Sequence, residues 1–282
     1  MNDSVEWKEV WAVRAREETP DFDLDRGFSL REEGIERLSE RELIEFIDPR
    51  QLEVVLDAGC GTGVNISRLF TRVKKIIGID YAAGSIERCQ KRVEAQNIKN
   101  AELHVGSILE ISLPDHKINK VICLSVLQYL NDHEVCQAFG EFARVLAPNG
   151  VVILHVKNRA SIYWWTLLAA KRAKALLGGN GSTYNVRPFD WYIDALCVAG
   201  FQIEEFNGFN LLTIDHMPKW LSSSLQRFEL KHYRSWLLRN AFIRRHMSDL
   251  KIRARLGVRS AEKHYRSSGN EFVDERLRSR TD

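Results

Sequence analysis

Five short apolar runs, most of them separated by segments of helical length and amphipathic pattern, constrain this chain of 282 residues more than any other feature. They are EVVLD (53–57), KIIGI (75–79), AELHV (101–105), KVICLS (120–125) and GVVILHV (150–156). Among the intervening segments are AAGSIERCQKRVEAQN (82–97) and DHEVCQAFGEFARVLA (132–147). Strands that are apolar on both sides need helices on both sides, and crossovers of helix length join parallel neighbours. Right-handed crossovers then leave few topologies. A sixth run, FQIEEF (201–206), follows a segment that reads as a helix stopped by a C-cap glycine, Gly200. In the seventh, DLKIRARL (249–256), Leu250, Ile252, Ala254 and Leu256 alternate with Asp249, Lys251, Arg253 and Arg255. Period two predicts a strand with one wet face. The expected architecture is α/β, a doubly wound and mostly parallel seven-stranded sheet with helices on both faces.

The first run leads into glycines, VVLDAGCGTG (54–63), with Gly59, Gly61 and Gly63 at every second position. A strand that ends this way brings backbone N–H groups to the carboxyl edge of a sheet, which suits a nucleotide ligand. A dinucleotide fingerprint, GxGxxG, needs glycine or alanine at position 64, where this chain has Val64. With Asp57 two places before the first glycine, the pattern is instead D-x-G-x-G-x-G.

That pattern resembles the first motif of class I S-adenosylmethionine-dependent methyltransferases, which have a Rossmann-like fold. The resemblance continues in order through IGIDYAAGSIERCQ, VICLSVLQYLND and EFARVLAPNGVVIL, and covers roughly residues 40–208. It implies S-adenosylmethionine as cofactor, held by Asp57, Ala58, Gly59, Cys60, Gly61 and Gly63 of the loop. Asp80 is expected at the ribose hydroxyls and Tyr81 against the adenine, with Ser107, Ile108, Leu124 and Ser125 completing the set. Ser107 stands where the family usually has an aspartate, and a hydroxyl accepts the adenine amino group less strongly than a carboxylate. Cys60 has no basic neighbour in sequence and reads as small-residue packing rather than a nucleophile.

Methyl transfer from a sulfonium needs alignment and exclusion of water above all. A general base is required only where the acceptor keeps its proton at neutral pH. His155, at the end of the fifth strand, and Tyr129, after the fourth, are the candidate catalytic groups; each also reads as a packed side chain. Gln128 and the aromatics Tyr163, Trp164 and Trp165 are candidates for the acceptor pocket, the last three on an inserted lid over about residues 159–184. No histidine has metal-ligand spacing, so no metal is expected.

The methyltransferase domain is expected over residues 36–256. An N-terminal extension, residues 1–35, holds Trp7, Trp11 and Arg14, Arg16, Arg26 and Arg31, and would fold over the cofactor site. A helical insertion is expected at about 215–246 and a polar tail at 257–282. Five scattered cysteines without a CxxC pair point to a reduced compartment. No signal peptide or window of 18 apolar residues is present, so the expected location is cytoplasmic, with a peripheral membrane position as the alternative. From Pro218 onward 16 lysines and arginines face 7 acidic residues, a net of +9 against −6 for the rest. This fits either a solvated basic face or contact with an anionic surface such as lipid headgroups. The expected acceptor is a small molecule, a sugar or glycan, or a lipid-linked group, methylated on oxygen or nitrogen. No RNA-binding module is visible, which disfavours nucleic acid. The competing reading is a non-catalytic, cofactor-binding subunit with a basic interaction surface.

Overall fold

In a computed structural model the described residues are 33–161, 164, 185–209, 224 and 241–257. Outside them lie the extension before residue 33, Tyr163 and Trp165 with nearly all of the expected lid, most of the 215–246 insertion, and the tail from residue 258. The elements in chain order are α1 (Glu33–Ile47), β1 (Val54–Ala58), α2 (Val64–Leu69), β2 (Lys75–Asp80), α3 (Ala83–Ala95), β3 (Ala101–Val105) and β4 (Ile118–Leu124). After a 3₁₀ turn (Leu127–Tyr129) follow α4 (Asp132–Val145), β5 (Leu146–Lys157), α5 (Phe189–Val198), β6 (Phe201–Phe209), α6 (Ala241–Arg245) and β7 (Asp249–Leu256).

The ends of these elements have local causes. Asn131 opens α4 with a capping box: its Oδ1 accepts from Glu134 N–H at 2.9 Å, and its own N–H donates to Glu134 Oε2 at 2.8 Å. Gly200, at φ 90°, stops the chain after α5, and its N–H donates to the Cys197 carbonyl at 3.0 Å.

Seven strands form one sheet in the order β3-β2-β1-β4-β5-β7-β6. Strands β1 to β5 are parallel, and β7 runs antiparallel between β5 and β6. On one face Phe46, Ile66, Leu69, Cys89 and Val93 from α1, α2 and α3 pack on Val55, Ile76, Ile122 and Ile153. On the other, Phe139 and Phe142 of α4 and Tyr192 and Leu196 of α5 cover Leu56, Ile77, Val121, Leu154 and Ile252. Each large apolar side chain so covered contributes roughly 1.5–3 kcal/mol. Strand order reverses between β1 and β4, and the crevice outside their carboxyl ends is the place where open α/β sheets bind ligands.

One expectation needs correction. The polar positions of β7 do not form a wet face, because the strand is inserted between two others and is covered on both sides. Asp249 and Lys251 are buried, while Arg253 and Arg255 are half-buried. Arg253 stacks over the Phe46 ring of α1 at 5.6 Å and donates to the Phe46 carbonyl. Arg255 pairs with Glu204 on β6 and donates to the Asn149 carbonyl at 2.7 Å. Alternation thus reports two chemically different faces here, each with its own partners. Among the described residues no helix is long and apolar enough to cross a membrane.

Candidate functional site

The loop after β1 is built around backbone that only glycine adopts easily. Gly59 has φ 81° and Gly63 has φ 80°. A Cβ on Gly59 would lie 2.4 Å from Val126 Cγ2, and one on Gly63 would lie 2.3 Å from Cys89 Sγ. These glycines therefore let the loop press against the turn after β4 on one side and against α3 on the other. Among the described residues nothing would meet a Cβ on Gly61 within 4 Å.

The loop's donors are largely committed within the protein. Gly59 and Cys60 N–H groups donate to the Ile79 carbonyl at 2.8 and 3.0 Å, and Gly63 N–H donates to the Cys60 carbonyl at 3.0 Å. Gly61 N–H donates to Asp80 Oδ2 at 2.9 Å. A pyrophosphate cradle needs such groups turned to the ligand. Here they fasten the loop to the end of β2.

Asp80 ties the two together. Its Oδ1 accepts from Ala82 N–H at 2.9 Å, so one carboxylate holds both the glycine loop and the start of α3. Each oxygen keeps a further acceptor lone pair. Burial raises the Asp80 pKa, and the two backbone N–H bonds offset part of that rise. Beside it, Tyr81 is 37% exposed, a flat apolar surface at the crevice edge. Burial pushes its phenol up, and the nearby Asp80 and Tyr129 add to the shift.

Residues 55–150 match the family model for a methyltransferase domain. The chain carries a methyltransferase domain. Over 105 residues it is 30% identical to a Mycolicibacterium smegmatis protein named as a probable S-adenosylmethionine-dependent methyltransferase, covering 37% of this chain and 38% of that one. It is 32% identical over 109 residues to the malonyl-[acyl-carrier protein] O-methyltransferase of Yersinia pestis, covering 39% and 38%. The YcgJ protein of Bacillus subtilis has the same fold, with a TM-score of 0.56 and 18% identity over 78% of this chain and 99% of that one. The chain spans under two fifths of the length of the two relatives named.

Within the methyltransferase domain, the other expected cofactor residues gather at the same sheet edge. Asp57 and Ala58 are fully buried at the end of β1. The Cys60 thiol is buried, shares a hydrogen bond with Cys89, and is held up by that bond and by burial. It packs, as its sequence context indicated. Ser107, after β3, accepts from Leu109 N–H at 3.2 Å and shapes a turn, and the Ile108 side chain enters the core. Leu124 ends β4 and Ser125 follows it, its N–H donating to the His155 carbonyl at 3.0 Å.

Past β4, Gln128 is 5% exposed, and its Oε1 is buried with no hydrogen-bond partner among the described residues. Tyr129 is half-buried in the same 3₁₀ turn. His155, at the end of β5, is buried, with Nδ1 2.8 Å from Ser125 Oγ and Nε2 3.3 Å from Asp249 Oδ1. Burial lowers its pKa, and the Asp249 carboxylate offsets part of that. Trp164, expected to wall the acceptor pocket, is 6% exposed, with its backbone N–H donating to Ser161 Oγ at 3.3 Å. Asn158 is structural: its Nδ2 donates to the Arg245 and Met247 carbonyls at 2.7 and 2.9 Å.

Two positioning residues carried no signal in the sequence. Buried Arg187 donates to Asp132 Oδ1 at 2.6 Å and to the Leu130 and Leu127 carbonyls at 2.7 and 3.2 Å. It also lies over the Trp191 ring at 4.7 Å, and so pins the turn that carries Gln128 and Tyr129. Asp249, read as wet, instead faces His155 and Lys157, the latter at 2.6 Å.

Proposed function

We propose that this protein is an S-adenosylmethionine-dependent methyltransferase acting on oxygen or nitrogen of a small-molecule, sugar or lipid-linked acceptor. The observation that carries this reading is the Asp80 clamp. A glycine loop whose N–H groups are spent on Ile79, Cys60 and Asp80 is poorly equipped for a pyrophosphate, while a carboxylate with spare lone pairs suits the two hydroxyls of a ribose. The residues present fit a nucleoside that bears an amino-acid tail. Asp80 would take the ribose, Tyr81 and the turn at Ser107 and Ile108 the adenine, and the Gly59–Gly63 loop the tail. The cofactor supplies a methyl group already activated by a positive sulfur, so the protein's part is alignment and exclusion of water.

The amide oxygen of Gln128, unpartnered among the described residues, is open to an N–H or O–H donor from a ligand, and filling it offsets a cost of about 1–3 kcal/mol. An acceptor with a hydroxyl or amine supplies one. The Yersinia relative's name, an O-methyltransferase, agrees with oxygen as the methylated atom. The test is transfer of labelled methyl from S-adenosylmethionine to separate hydroxylated small-molecule, glycan, lipid and RNA fractions. Label in any of the first three supports the reading, whereas label in RNA alone, or in none, contradicts it.

A further inference from the structure

Three polar side chains from different strands meet at the carboxyl ends of β4 and β5. Ser125, the residue after β4, has a left-handed backbone with φ 60°. For a residue other than glycine, asparagine or aspartate this conformation costs on the order of 1 kcal/mol. It sets Ser125 Oγ 2.8 Å from His155 Nδ1. On the far side of the ring, His155 Nε2 lies 3.3 Å from Asp249 Oδ1, long for a hydrogen bond but close for an ion pair. Lys157 Nζ approaches the same oxygen at 2.6 Å, and Ser248 Oγ donates to the other at 2.9 Å.

Exposure runs one way along this chain. Asp249 is 2% exposed and His155 9%, while Ser125 is half-buried. Its neighbour Val126 is the residue that Gly59 touches, so the accessible end of the chain lies beside the glycine loop. Resting on the methyl-transfer reading, we propose that Ser125 and His155 form a proton relay that deprotonates a hydroxyl acceptor. The acceptor O–H bond breaks and its electron pair stays on oxygen. That proton passes to Ser125 Oγ as the serine proton moves to His155 Nδ1. The resulting imidazolium faces Asp249, and it later returns its extra proton to solvent. Ser125 is then the catalytic residue, His155 the proton store, and Asp249 a positioning residue.

The charges around the ring are compatible with this order. Among the described residues His155 is faced by Ser125 from the turn after β4, Lys157 on its own strand, and Asp249 and Lys251 from β7. Burial first, with the two lysines adding, keeps the imidazole below its ordinary pKa and neutral at pH 7. Burial would raise the Asp249 carboxyl, but Lys157 and His155 outweigh it and hold the group ionised. A carboxylate at Nε2 favours the tautomer with its proton there, which leaves Nδ1 to accept from Ser125.

Nitrogen-resolved NMR of the full-length chain, without acceptor, reads the ring directly. The expected result is a neutral ring protonated at Nε2 at pH 7, titrating below about 6.5. Protonation at Nδ1 alone, or a charged ring at pH 7, overturns the proposal. Phenylmethanesulfonyl fluoride is the reactivity probe. It should label Ser125 about 100-fold faster in the wild type than in His155→Gln, the scale of one general-base contact. Equal rates, or no adduct at Ser125, overturn it. Asp249→Asn should lower the His155 titration midpoint further; an unchanged midpoint contradicts the positioning role. None of these readouts needs the cofactor, so calorimetry with S-adenosylmethionine judges the methyl-transfer reading separately.

Discussion

Gly61, in the loop after β1, and Asp80, the last residue of β2, are joined by a 2.9 Å bond from the glycine N–H to the carboxylate Oδ2. The same carboxylate accepts from Ala82 N–H, so the geometry of the crevice at this sheet edge depends on one acid. Asp80→Asn keeps the shape but supplies one acceptor oxygen where two are needed. The expected loss of S-adenosylmethionine affinity is about tenfold or more, the scale of one charged hydrogen bond. Calorimetry checks it, and unchanged affinity removes Asp80 from the ribose role. Because burial raises the Asp80 pKa, affinity should also fall on acidification from a higher pH than an ordinary aspartate would give.

Gly59→Ala meets two obstacles. The new Cβ would sit 2.4 Å from Val126 Cγ2, on backbone at φ 81°. The expected destabilisation is about 2–3 kcal/mol, from steric overlap plus left-handed strain. Adding Val126→Ala should restore the steric part and leave about 1 kcal/mol. Urea unfolding of the single and double variants separates the two.

Lys120, 2% exposed, donates to Glu53 Oε2 at 2.8 Å and to the Asp48 carbonyl at 2.5 Å beneath β1 and β4. Lys120→Met leaves the glutamate without its cation and should cost about 3 kcal/mol in chemical denaturation. Glu53→Leu added to it should recover most of that loss. A double variant no more stable than the single would mean that the pair is not the source.

Asp249 makes stability depend on acid. Its folded pKa lies well below the ordinary carboxylate value, so the stabilisation is present above the unfolded pKa of about 3.9 and is lost as pH falls through the folded one. Lys157→Met removes the cation at 2.6 Å and raises the folded pKa toward the unfolded one. The acid-unfolding midpoint, followed by circular dichroism, should move to higher pH. No movement would show that Lys157 does not hold the carboxylate.

The sheet and the glycine loop at its edge were legible because both are written in local pattern. The runs around Val55, Ile77, Val121 and Val152 form parallel strands, and the spacing of Gly59, Gly61 and Gly63 marks the loop that Val126 and Cys89 press upon. What stayed hidden depends on pairing between distant segments. Asp249, Lys251 and Arg253 alternate as a wet face would, and only insertion of β7 between β5 and β6 buries the first two and half-buries the third. Nothing local linked Ser125 to His155, or His155 to Asp249, because their approach is set by the register of β4, β5 and β7. Arg187 gave no signal for the same reason: its partners at Leu127, Leu130 and Asp132 lie more than 50 residues away.

In the proposed function this crevice holds a nucleoside with an amino-acid tail and not a dinucleotide. Calorimetric titration of the full-length chain with S-adenosylmethionine and, in parallel, with NADH tests it most directly. Saturable binding of S-adenosylmethionine, with a dissociation constant of roughly micromolar order or tighter, and no measurable binding of NADH are expected. Binding of NADH with no response to S-adenosylmethionine would contradict it.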